Sequence, residues 1–415
     1  MAYEVLVLNQ MAPVGLAQLN PQRYRLTEHW RRPDAILLRS FDLRAVDIPD
    51  TVQVVGRAGT GTNNIPVEKL TRLGVPVLNT PGANANAVKE LVITGMLLAS
   101  RNICAAWHYT QHLVGDDFAL QQHIEQHKKQ FAGFELPGKI LGVVGLGKIG
   151  VKVANAARHL GMKVVGYDPA ITVRNAWELS SSVQQADDLK DVLTRADFVT
   201  LHVPLSEKTH HFMNHETLRL MKPGAVLLNF ARAEIVDHQA LVEQLQQNYI
   251  RNYVCDFPSQ LFKDNPKIIC FPHLGASTKE AEENCAVMIA HQIQDYLESG
   301  QIRNAINFPT VKIPKSEGYR LAVINANIPN MVAQISSVLS SANMNIIDMI
   351  NKSQDDIAYT LIDTNVEIND ALLQKIRAIP GVIRARRCVE IPFTYENTHL
   401  PEETSNPHPT HAECE

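Results

Sequence analysis

The sequence has no long apolar run and no large excess of charge of one sign. None of its 415 residues belongs to an uninterrupted apolar stretch of about 18, the length that spans a bilayer. The N-terminus begins as a strand and lacks the basic region and cleavage site of a secretory signal. A net charge of −4 gives no overall attraction to nucleic acid or anionic lipid. We therefore expect a cytoplasmic globular protein with neither nucleic acid nor membrane as a partner.

Cysteine is scarce, and its spacing excludes the usual motifs. The six cysteines form no Cys-x-x-Cys pair; they are Cys104, Cys255, Cys270, Cys285, Cys388 and Cys414. This scatter favours reduced thiols over a disulfide framework. Four histidines form two i,i+4 pairs between residues 108 and 127, but no acid or cysteine is placed to complete a ligand set. We expect an exposed helical arm there and no metal site.

A glycine-rich stretch between residues 138 and 169 is the strongest local signal. A β-rich run, Lys139 to Val144, leads into Gly145-x-Gly147-x-x-Gly150, and a helical run follows. A second strand then ends in Asp168. Strand, glycine turn, helix and a later acid form the dinucleotide-binding arrangement, in which the acid meets the ribose hydroxyls and repels a 2′-phosphate. The sequence therefore predicts NAD as cofactor.

Polar side chains follow successive predicted strands beyond this stretch. Arg232, Asp256 and His273 each come shortly after a buried strand. Because the carboxyl ends of parallel strands share one edge of a sheet, we expect these three groups to converge on one cleft.

Two arginines in the first hundred residues also follow predicted strands. Arg39 ends one strand, and Arg57 ends another just before the loop Gly59-Thr60-Gly61. Two guanidinium groups beside free backbone amides suit a carboxylate or a phosphate. From spacing alone, two solvated surface arginines are an equally good interpretation.

The alternation of elements predicts three α/β units. We expect a flavodoxin-like substrate-binding domain at residues 1–100, completed by 283–310, and a Rossmann-type NAD domain at 101–282. A linker at 311–318 leads to a βαββαβ unit of ferredoxin-like type at 319–393, and 394–415 is expected to be a disordered tail.

The order of these motifs resembles that of the D-isomer-specific 2-hydroxyacid dehydrogenases, over nearly the whole chain to about residue 393. The matching segments are Arg57-Ala-Gly-x-Gly61, Gly145–Gly150 with Asp168, His202-Val-Pro204, Asn229-x-Ala-Arg232 and Pro272-His-Leu-Gly275. The C-terminal unit resembles an ACT domain through Asn327-x-Pro329 and Met344-Asn-Ile346. With that unit appended, the resemblance is to the branch of the family that oxidises 3-phosphoglycerate to 3-phosphohydroxypyruvate, which begins serine biosynthesis.

The resemblance implies a role for each matching residue. His273 would be the acid/base, Arg232 would orient the substrate carboxylate, and Asp256 would hold the nicotinamide carboxamide. The implied cofactor-binding residues are Gly145, Leu146, Gly147, Lys148, Ile149, Gly150, Asp168, His202, Val203, Pro204, Phe230, Ala231, Arg232, Asp256, His273, Gly275 and Ala276. The implied substrate-binding residues are Arg39, Arg57, Gly59, Thr60, Gly61 and Asn84, the last being equally interpretable as a helix cap.

The sequence departs from the family pattern in two places. Gln260 occupies the position of the family's catalytic glutamate, so we expect weaker stabilisation of a protonated His273, with Asp264 as an alternative partner. In the C-terminal unit, Asn325 replaces the histidine of serine-inhibited members, whereas Asn327 and Asn345 match effector positions. We expect an amino-acid effector to bind at these three residues, but the pattern does not imply inhibition by serine. We also expect a homodimer or homotetramer.

Two other kinds of function remain open at this stage. One is a different 2-hydroxyacid substrate, such as hydroxypyruvate, glyoxylate or 2-hydroxyglutarate. The other is a non-catalytic regulatory protein gated by NAD, against which the presence of both Arg232 and His273 argues.

Overall fold

The fold contains three sheets, two parallel and one antiparallel. The computed structural model describes residues 2–314 and 318–388. The predicted fold class is confirmed, since parallel α/β sheets are joined to a separate antiparallel unit. The predicted tail at 394–415, part of the linker and the end of the third unit lie outside the described residues.

The first sheet has the flavodoxin-like strand order β2-β1-β3-β4-β5, and all its neighbouring strands are parallel. Its strands are β1 Tyr3–Leu8, β2 Tyr24–Thr27, β3 Ala35–Leu38, β4 Val54–Arg57 and β5 Val77–Leu78, with short helices α1 Pro13–Leu16 and α2 Val67–Arg72. Strand β3 is buried throughout, as expected for a parallel strand covered on both faces. The edge strand β2 is absent from the sequence prediction, since it is only four residues long and only Tyr24 in it is buried.

Three helices connect the first sheet to the second: α3 Ala85–Arg101, α4 Ile103–Gln111 and α5 Asp117–His127. Val88, Val92, Met96 and Ala99 of α3 are buried in the same cluster as strands of the second sheet. Helix α3 therefore packs with the second unit, and the domain boundary predicted at residue 100 moves to about residue 84. Helices α4 and α5 contain no buried residue, in line with the predicted exposed arm.

The second sheet has seven parallel strands in the order β12-β11-β10-β9-β6-β7-β8, a doubly wound Rossmann arrangement. Its strands are β6 Ile140–Val144, β7 Lys163–Tyr167, β8 Gln184–Gln185, β9 Phe198–Leu201, β10 Val226–Asn229, β11 Asn252–Cys255 and β12 Ile268–Cys270. Its helices are α6 Lys148–His159, α7 Val173–Glu178, α8 Leu189–Arg195, α9 His215–Leu220 and α10 His238–Gln246.

A long helix, α11 Lys279–Ser299, returns the chain to the first unit. The Thr278 side chain caps its N-terminus, and Gly300 ends it in the left-handed conformation with φ 68°. Gly56 lets α11 approach β4, because a Cβ on Gly56 would lie 2.8 Å from side-chain carbons of Ile289 and Ile293. After α11, Ala305 bridges Leu78, so the following segment completes the first sheet.

The third sheet is antiparallel with strand order β14-β15-β13-β16, the ferredoxin-like order. Its elements are β13 Tyr319–Ala326, α12 Met331–Ser341, β14 Ile346–Gln354, β15 Ile357–Thr364, α13 Asp370–Arg377 and β16 Val382–Cys388. One face of this sheet shares a hydrophobic core with the first unit; Ile324 and Tyr359 lie in the same cluster as Leu37 and Ile293. Val311 and Ile313, in the predicted linker, are buried there too.

Candidate active site

The glycine turn after β6 has the close contacts that its three glycines allow. Gly145 has φ 93°, and a Cβ there would lie 2.7 Å from the carbonyl oxygen of His202. A Cβ on Gly150 would lie 1.9 Å from the carbonyl oxygen of Gly145. A Cβ on Gly147, in contrast, would meet no atom within 4 Å. The first and third glycines therefore serve the packing of the turn, and the second leaves open space at the N-terminus of α6.

Asp168 lies at the end of β7, beside that turn. Its carboxylate accepts hydrogen bonds from the backbone amides of Leu146 (2.8 Å) and Ala170 (2.9 Å). The acid is thus fixed at the mouth of the turn with oxygen lone pairs to spare for ribose hydroxyls. Lys148 begins α6 and pairs with Glu178 at 3.0 Å, while Ile149 packs against the core.

The segment after β9 runs across the same edge of the sheet. His202 contacts Thr200, with 3.0 Å between Nε2 and Oγ1, and its Nδ1 is buried without a hydrogen-bond partner among the described residues. Burial lowers the pKa of His202 to about 3, so the ring is neutral at physiological pH. Val203 and Pro204 follow it on this edge.

Asp256 follows β11 and accepts hydrogen bonds from the loop that carries His273. Its Oδ2 accepts the backbone N–H of Gly275 at 2.9 Å, and its carbonyl accepts the N–H of His273 at 3.0 Å. Its Oδ1 is buried with no partner among the described residues. Burial raises the pKa of Asp256, although the Gly275 amide and the charges of His273 and Arg232 oppose this.

His273 has an exposed ring on a constrained backbone. Its φ is 53°, in the left-handed region that non-glycine residues rarely adopt. The backbone N–H also lies 3.1 Å from the carbonyl oxygen of Phe271, and the ring meets Phe257 edge-on with 5.3 Å between centroids. Strained backbones of this kind concentrate at functional sites.

Three arginines meet at the loop after β4. A Cβ on Gly61 would lie 3.2 Å from Nη2 of Arg232 and 3.8 Å from Nη1 of Arg57, so the two guanidinium groups flank this glycine. Arg57 donates from Nε to the carbonyl oxygen of Arg39 at 3.1 Å. Burial and the charges of Arg232 and Arg39 lower the pKa of Arg57. Arg57 therefore lies between the other two, beside the Arg232 guanidinium and bonded to the backbone of Arg39, so it is not an isolated surface arginine.

The remaining predicted cofactor contacts line the region between Arg232 and His273. Phe230 is buried and stacks on Phe271, while Ala231 donates its N–H to Oδ1 of the buried Asn229 at 3.1 Å. The other end of the Asn229 side chain is also bonded within the protein, because its Nδ2 donates to the carbonyl oxygen of Arg232 at 2.8 Å. Gly275 is buried and Ala276 half-buried beside them.

Two predicted residues have less support. Gln260 is exposed, and across residues 252–279 no hydrogen bond or ion pair joins the His273 imidazole to Gln260 or to Asp264. Asn84 does stand at the N-cap of α3 but makes no capping bond, and its Oδ1 is buried without a partner among the described residues.

The three predicted effector residues do not gather in one place within the chain. Asn325 pairs with Ala358 in the third sheet, whereas Asn345 adjoins Thr364, about 20 Å further along the same strand. Asn325 is buried with Oδ1 unpartnered in the described part of the chain, and Asn327 donates to the carbonyl of Asp355 at 2.9 Å. A single site using all three would need a second chain.

Sequence reasoning missed two features near the site. Glu282, on the first turn of α11, pairs with Arg39 at 2.7 Å. Cys255 and Cys270, which precede Asp256 and Phe271, are in contact with 3.6 Å between their sulfurs. The signal for the cysteines was available, because each ends one of two consecutive predicted strands whose carboxyl ends share one edge of the sheet.

A family comparison agrees with this geometry. Residues 93–275 match the model described as D-isomer specific 2-hydroxyacid dehydrogenase, NAD binding domain. The D-3-phosphoglycerate dehydrogenase of Escherichia coli K12 is 31% identical over 379 residues, which cover 87% of this chain and 88% of that relative. The chain belongs to the D-isomer specific 2-hydroxyacid dehydrogenase family.

Other members of this dehydrogenase family extend the comparison. The D-3-phosphoglycerate dehydrogenase of Methanocaldococcus jannaschii is 37% identical over 322 residues, covering 75% of this chain and 59% of that protein. The chain thus spans about three fifths of that relative's length. The NAD⁺-bound 3-phosphoglycerate dehydrogenase structure from Entamoeba histolytica, 23% identical, superposes with a TM-score of 0.58 over 74% of this chain and 99% of that one. This likeness confirms the fold, and the family match confirms NAD as the cofactor.

Within residues 2–314 and 318–388, no helix is long and apolar enough to cross a membrane. In the same residues, no group of three histidine, cysteine or acidic side chains could hold a metal ion.

Proposed function

We propose that the chain oxidises 3-phosphoglycerate to 3-phosphohydroxypyruvate with NAD, the first step of L-serine biosynthesis. The observation that carries the proposal is the pair of guanidinium groups of Arg57 and Arg232 around the Gly59–Gly61 loop, with Arg39 next to Arg57. A substrate with a carboxylate at one end and a phosphate at the other is the small hydroxyacid that such a cluster suits. Relatives that share most of this chain's length carry the name D-3-phosphoglycerate dehydrogenase.

Different arginines bind the two charged groups of the substrate. Arg232, at the sheet edge that also carries Asp256 and His273, binds the carboxylate and polarises the oxygen at C2. Arg57 and Arg39 bind the phosphate, with Thr60 and the amides of Gly59 and Gly61 completing the loop. Asn84 contributes its unpartnered Oδ1 to the cleft.

The residues of the second unit fit NAD. The open space at Gly147 admits the pyrophosphate, and Asp168 receives the ribose hydroxyls. The unpartnered Oδ1 of Asp256 accepts from the carboxamide, which fixes the face of the ring. When bound there, NAD supplies the hydride acceptor.

His273 moves the proton. Its imidazole accepts the proton of the C2 hydroxyl during oxidation and returns it during reduction. The hydrogen bonds from its backbone N–H to the carbonyl oxygens of Asp256 and Phe271 hold the loop, and the edge-on contact with Phe257 packs against the exposed ring.

Gln260 is the remaining catalytic proposal. As a neutral amide within reach of the histidine loop, it would orient the imidazole without stabilising its charged form. Gln260→Glu is expected to move the acidic limb of the oxidation profile to higher pH and to speed reduction. Identical pH profiles for the two proteins would refute this role.

The decisive experiment is an NADH-consumption assay. Purified protein is offered 3-phosphohydroxypyruvate, hydroxypyruvate, glyoxylate and 2-oxoglutarate at equal concentrations. We expect kcat/KM to be highest for the phosphorylated substrate, and Arg57→Gln to remove that preference. Preference for an unphosphorylated substrate would assign another activity within the family, and no turnover of any would favour a non-catalytic role.

The assembly and effector predictions remain proposals as well. The arm of α4 and α5 exposes Trp107, Val114 and Phe118, and we propose that it packs against a second copy in a homodimer or homotetramer. Light scattering with Trp107→Glu, against wild type, tests this.

An amino-acid effector bound between two third units would use Asn325 and Asn327 of one copy and Asn345 of the other. Calorimetric titration with single amino acids would detect such binding.

A further inference from the structure

Cys255 and Cys270 form the closest pair of thiols in the described residues. They are register partners at the ends of the parallel neighbours β11 and β12, and their sulfurs are 3.6 Å apart. Adjacent strands lie about 4.8 Å apart, within the range of Cα separations that disulfides span. Both side chains must rotate, and the 3.6 Å between the sulfurs must close, for a bond to form.

The pair has an entry route. Cys255 is buried, but Cys270 is half-buried and lines an open cavity of 530 Å³ together with Gln260, Phe271 and Pro272. Cys255 donates its S–H to the Cys270 sulfur, which favours the thiolate of Cys270. The accessible member of the pair is thus also the one better able to ionise.

We propose that Cys255 and Cys270 are a reversible redox site, oxidised to a disulfide by hydroperoxides. The Cys270 thiolate attacks one peroxide oxygen, breaks the O–O bond and becomes a sulfenic acid as hydroxide leaves. The Cys255 sulfur then attacks that sulfenic sulfur, the S–S bond forms, and water leaves. Two thiols and one hydrogen peroxide give one disulfide and two waters, and a dithiol reverses the change.

The bond would act on both sides of the nicotinamide position. Cys255 directly precedes Asp256, and Cys270 lies three residues before His273. Closing the sulfur pair to about 2.05 Å shortens their 3.6 Å separation by about 1.5 Å and pulls on both loop origins. Because misplacement by about 1 Å can cost on the order of 100-fold in rate, we expect oxidation to lower kcat by about 10- to 100-fold.

Burial raises the pKa of both thiols, which makes the site slow at neutral pH. The rate of oxidation is therefore expected to rise with pH through the alkaline range. This sets the pair apart from sensors whose thiols are already ionised at pH 7.

Peptide mapping after peroxide treatment of the full chain tests the proposal without relying on the enzyme assay. Trypsin cuts beside Arg251, Lys263, Lys267 and Lys279, so the two cysteines fall in peptides 252–263 and 268–279. We expect a linked pair whose mass is the sum of both peptides less two hydrogens, lost on treatment with a dithiol. Absence of this pair after oxidation at high pH would overturn the site.

Variants separate this site from other thiols. Cys270→Ser and Cys255→Ala should retain activity that peroxide no longer suppresses reversibly, whereas Cys104→Ser, at an exposed lone cysteine, should respond like wild type. Equal inactivation of all four proteins would contradict the link to activity. If the wild type turns over no substrate, the proposed dehydrogenase function fails, while the peptide map still decides the disulfide.

Discussion

At the scale of single residues, Asp256 is a carboxylate held where its charge is disfavoured. It is 2% exposed, and burial raises its pKa. Because the folded pKa lies above the unfolded one, ionisation of this group lowers stability as pH rises through the folded pKa. The ionised carboxylate is therefore kept at this position at a cost to the stability of the fold, as the proposed contact with NAD would require.

Asp256→Asn is accordingly expected to weaken NAD binding without weakening the protein. Removing a charged acceptor raises the Kd for NAD by about 10-fold or more, whereas the midpoint of thermal unfolding at pH 7 stays equal or rises. Fluorescence titration and calorimetry measure the two. Asp264→Asn, at an exposed nearby acid, should change neither, and a marked loss of stability in Asp256→Asn would contradict the account.

If Arg39 binds the phosphate as proposed, Glu282 competes with the substrate for it. Their ion pair is 2.7 Å long and partly exposed, so it is worth no more than about 1 kcal/mol. Glu282→Gln should therefore lower the KM for 3-phosphoglycerate by about two- to fivefold, with kcat little changed. Glu283→Gln provides the matched control, because Glu283 faces Lys279 instead. The same KM in both variants would remove Glu282 from the site.

The sequence was sufficient to predict that three candidate groups share one edge of the sheet, but not the pairings of their side chains. Arg232, Asp256 and His273 were expected together because they end parallel strands, and the structure places them on one edge. Glu282 was overlooked because a glutamate on the first turn of a helix is explained by the helix dipole alone. Gln260 was chosen by alignment, which fixes a chain position but not the direction of a side chain.

At the scale of elements, the glycine turn separates packing from ligand binding. Gly150→Ala forces a Cβ to within 1.9 Å of a carbonyl oxygen, and we expect a loss of about 2 kcal/mol or more in the free energy of unfolding. Gly147→Ala meets no atom within 4 Å, so its stability should be unchanged while its Kd for NAD rises about 10-fold or more. Denaturant titration with and without NAD distinguishes these. An unaltered NAD affinity in Gly147→Ala would contradict the placement of the pyrophosphate.

Element order was predictable where apolar runs were strong. The buried strands β3 and β10, which the pattern placed before Arg39 and Arg232, are present there. Strand β2, with the burial pattern of an edge, was not predicted, since its side chains are mostly exposed. The surface against which α3 packs was also not predictable. A helix that is apolar on all sides is expected to be buried, but its sequence does not indicate which element covers it.

At the scale of the whole molecule, the C-terminal sheet holds the end of α11. Arg386 donates to the carbonyl oxygens of Tyr296 and Leu297, and its guanidinium lies 4.7 Å from the centre of the Tyr296 ring. The Tyr359 hydroxyl donates to the carbonyl of Gly300 at 2.6 Å. Cationic and hydroxyl donors at a helix C-terminus satisfy carbonyls that have no partner within the helix.

Arg386→Met is expected to loosen this contact. It should lower the free energy of unfolding by about 2 kcal/mol and speed hydrogen exchange at the last turn of α11. Arg387→Met is the control, because Arg387 bonds to Asp370 within the third unit. If both substitutions changed the exchange rates equally, the hydrogen bonds of Arg386 to the end of α11 would not be the cause of the change.

The core shared by the first and third sheets also limits how this protein can be recombined with its relatives. A chimera that exchanged only the residues after 318 would have to reproduce the apolar face that meets Leu37 and Ile293, together with donors for the carbonyls of Tyr296 and Leu297. The segment from α11 to β16 is therefore the smallest piece we expect to be transferable, and it carries Glu282, the ion-pair partner of Arg39, with it.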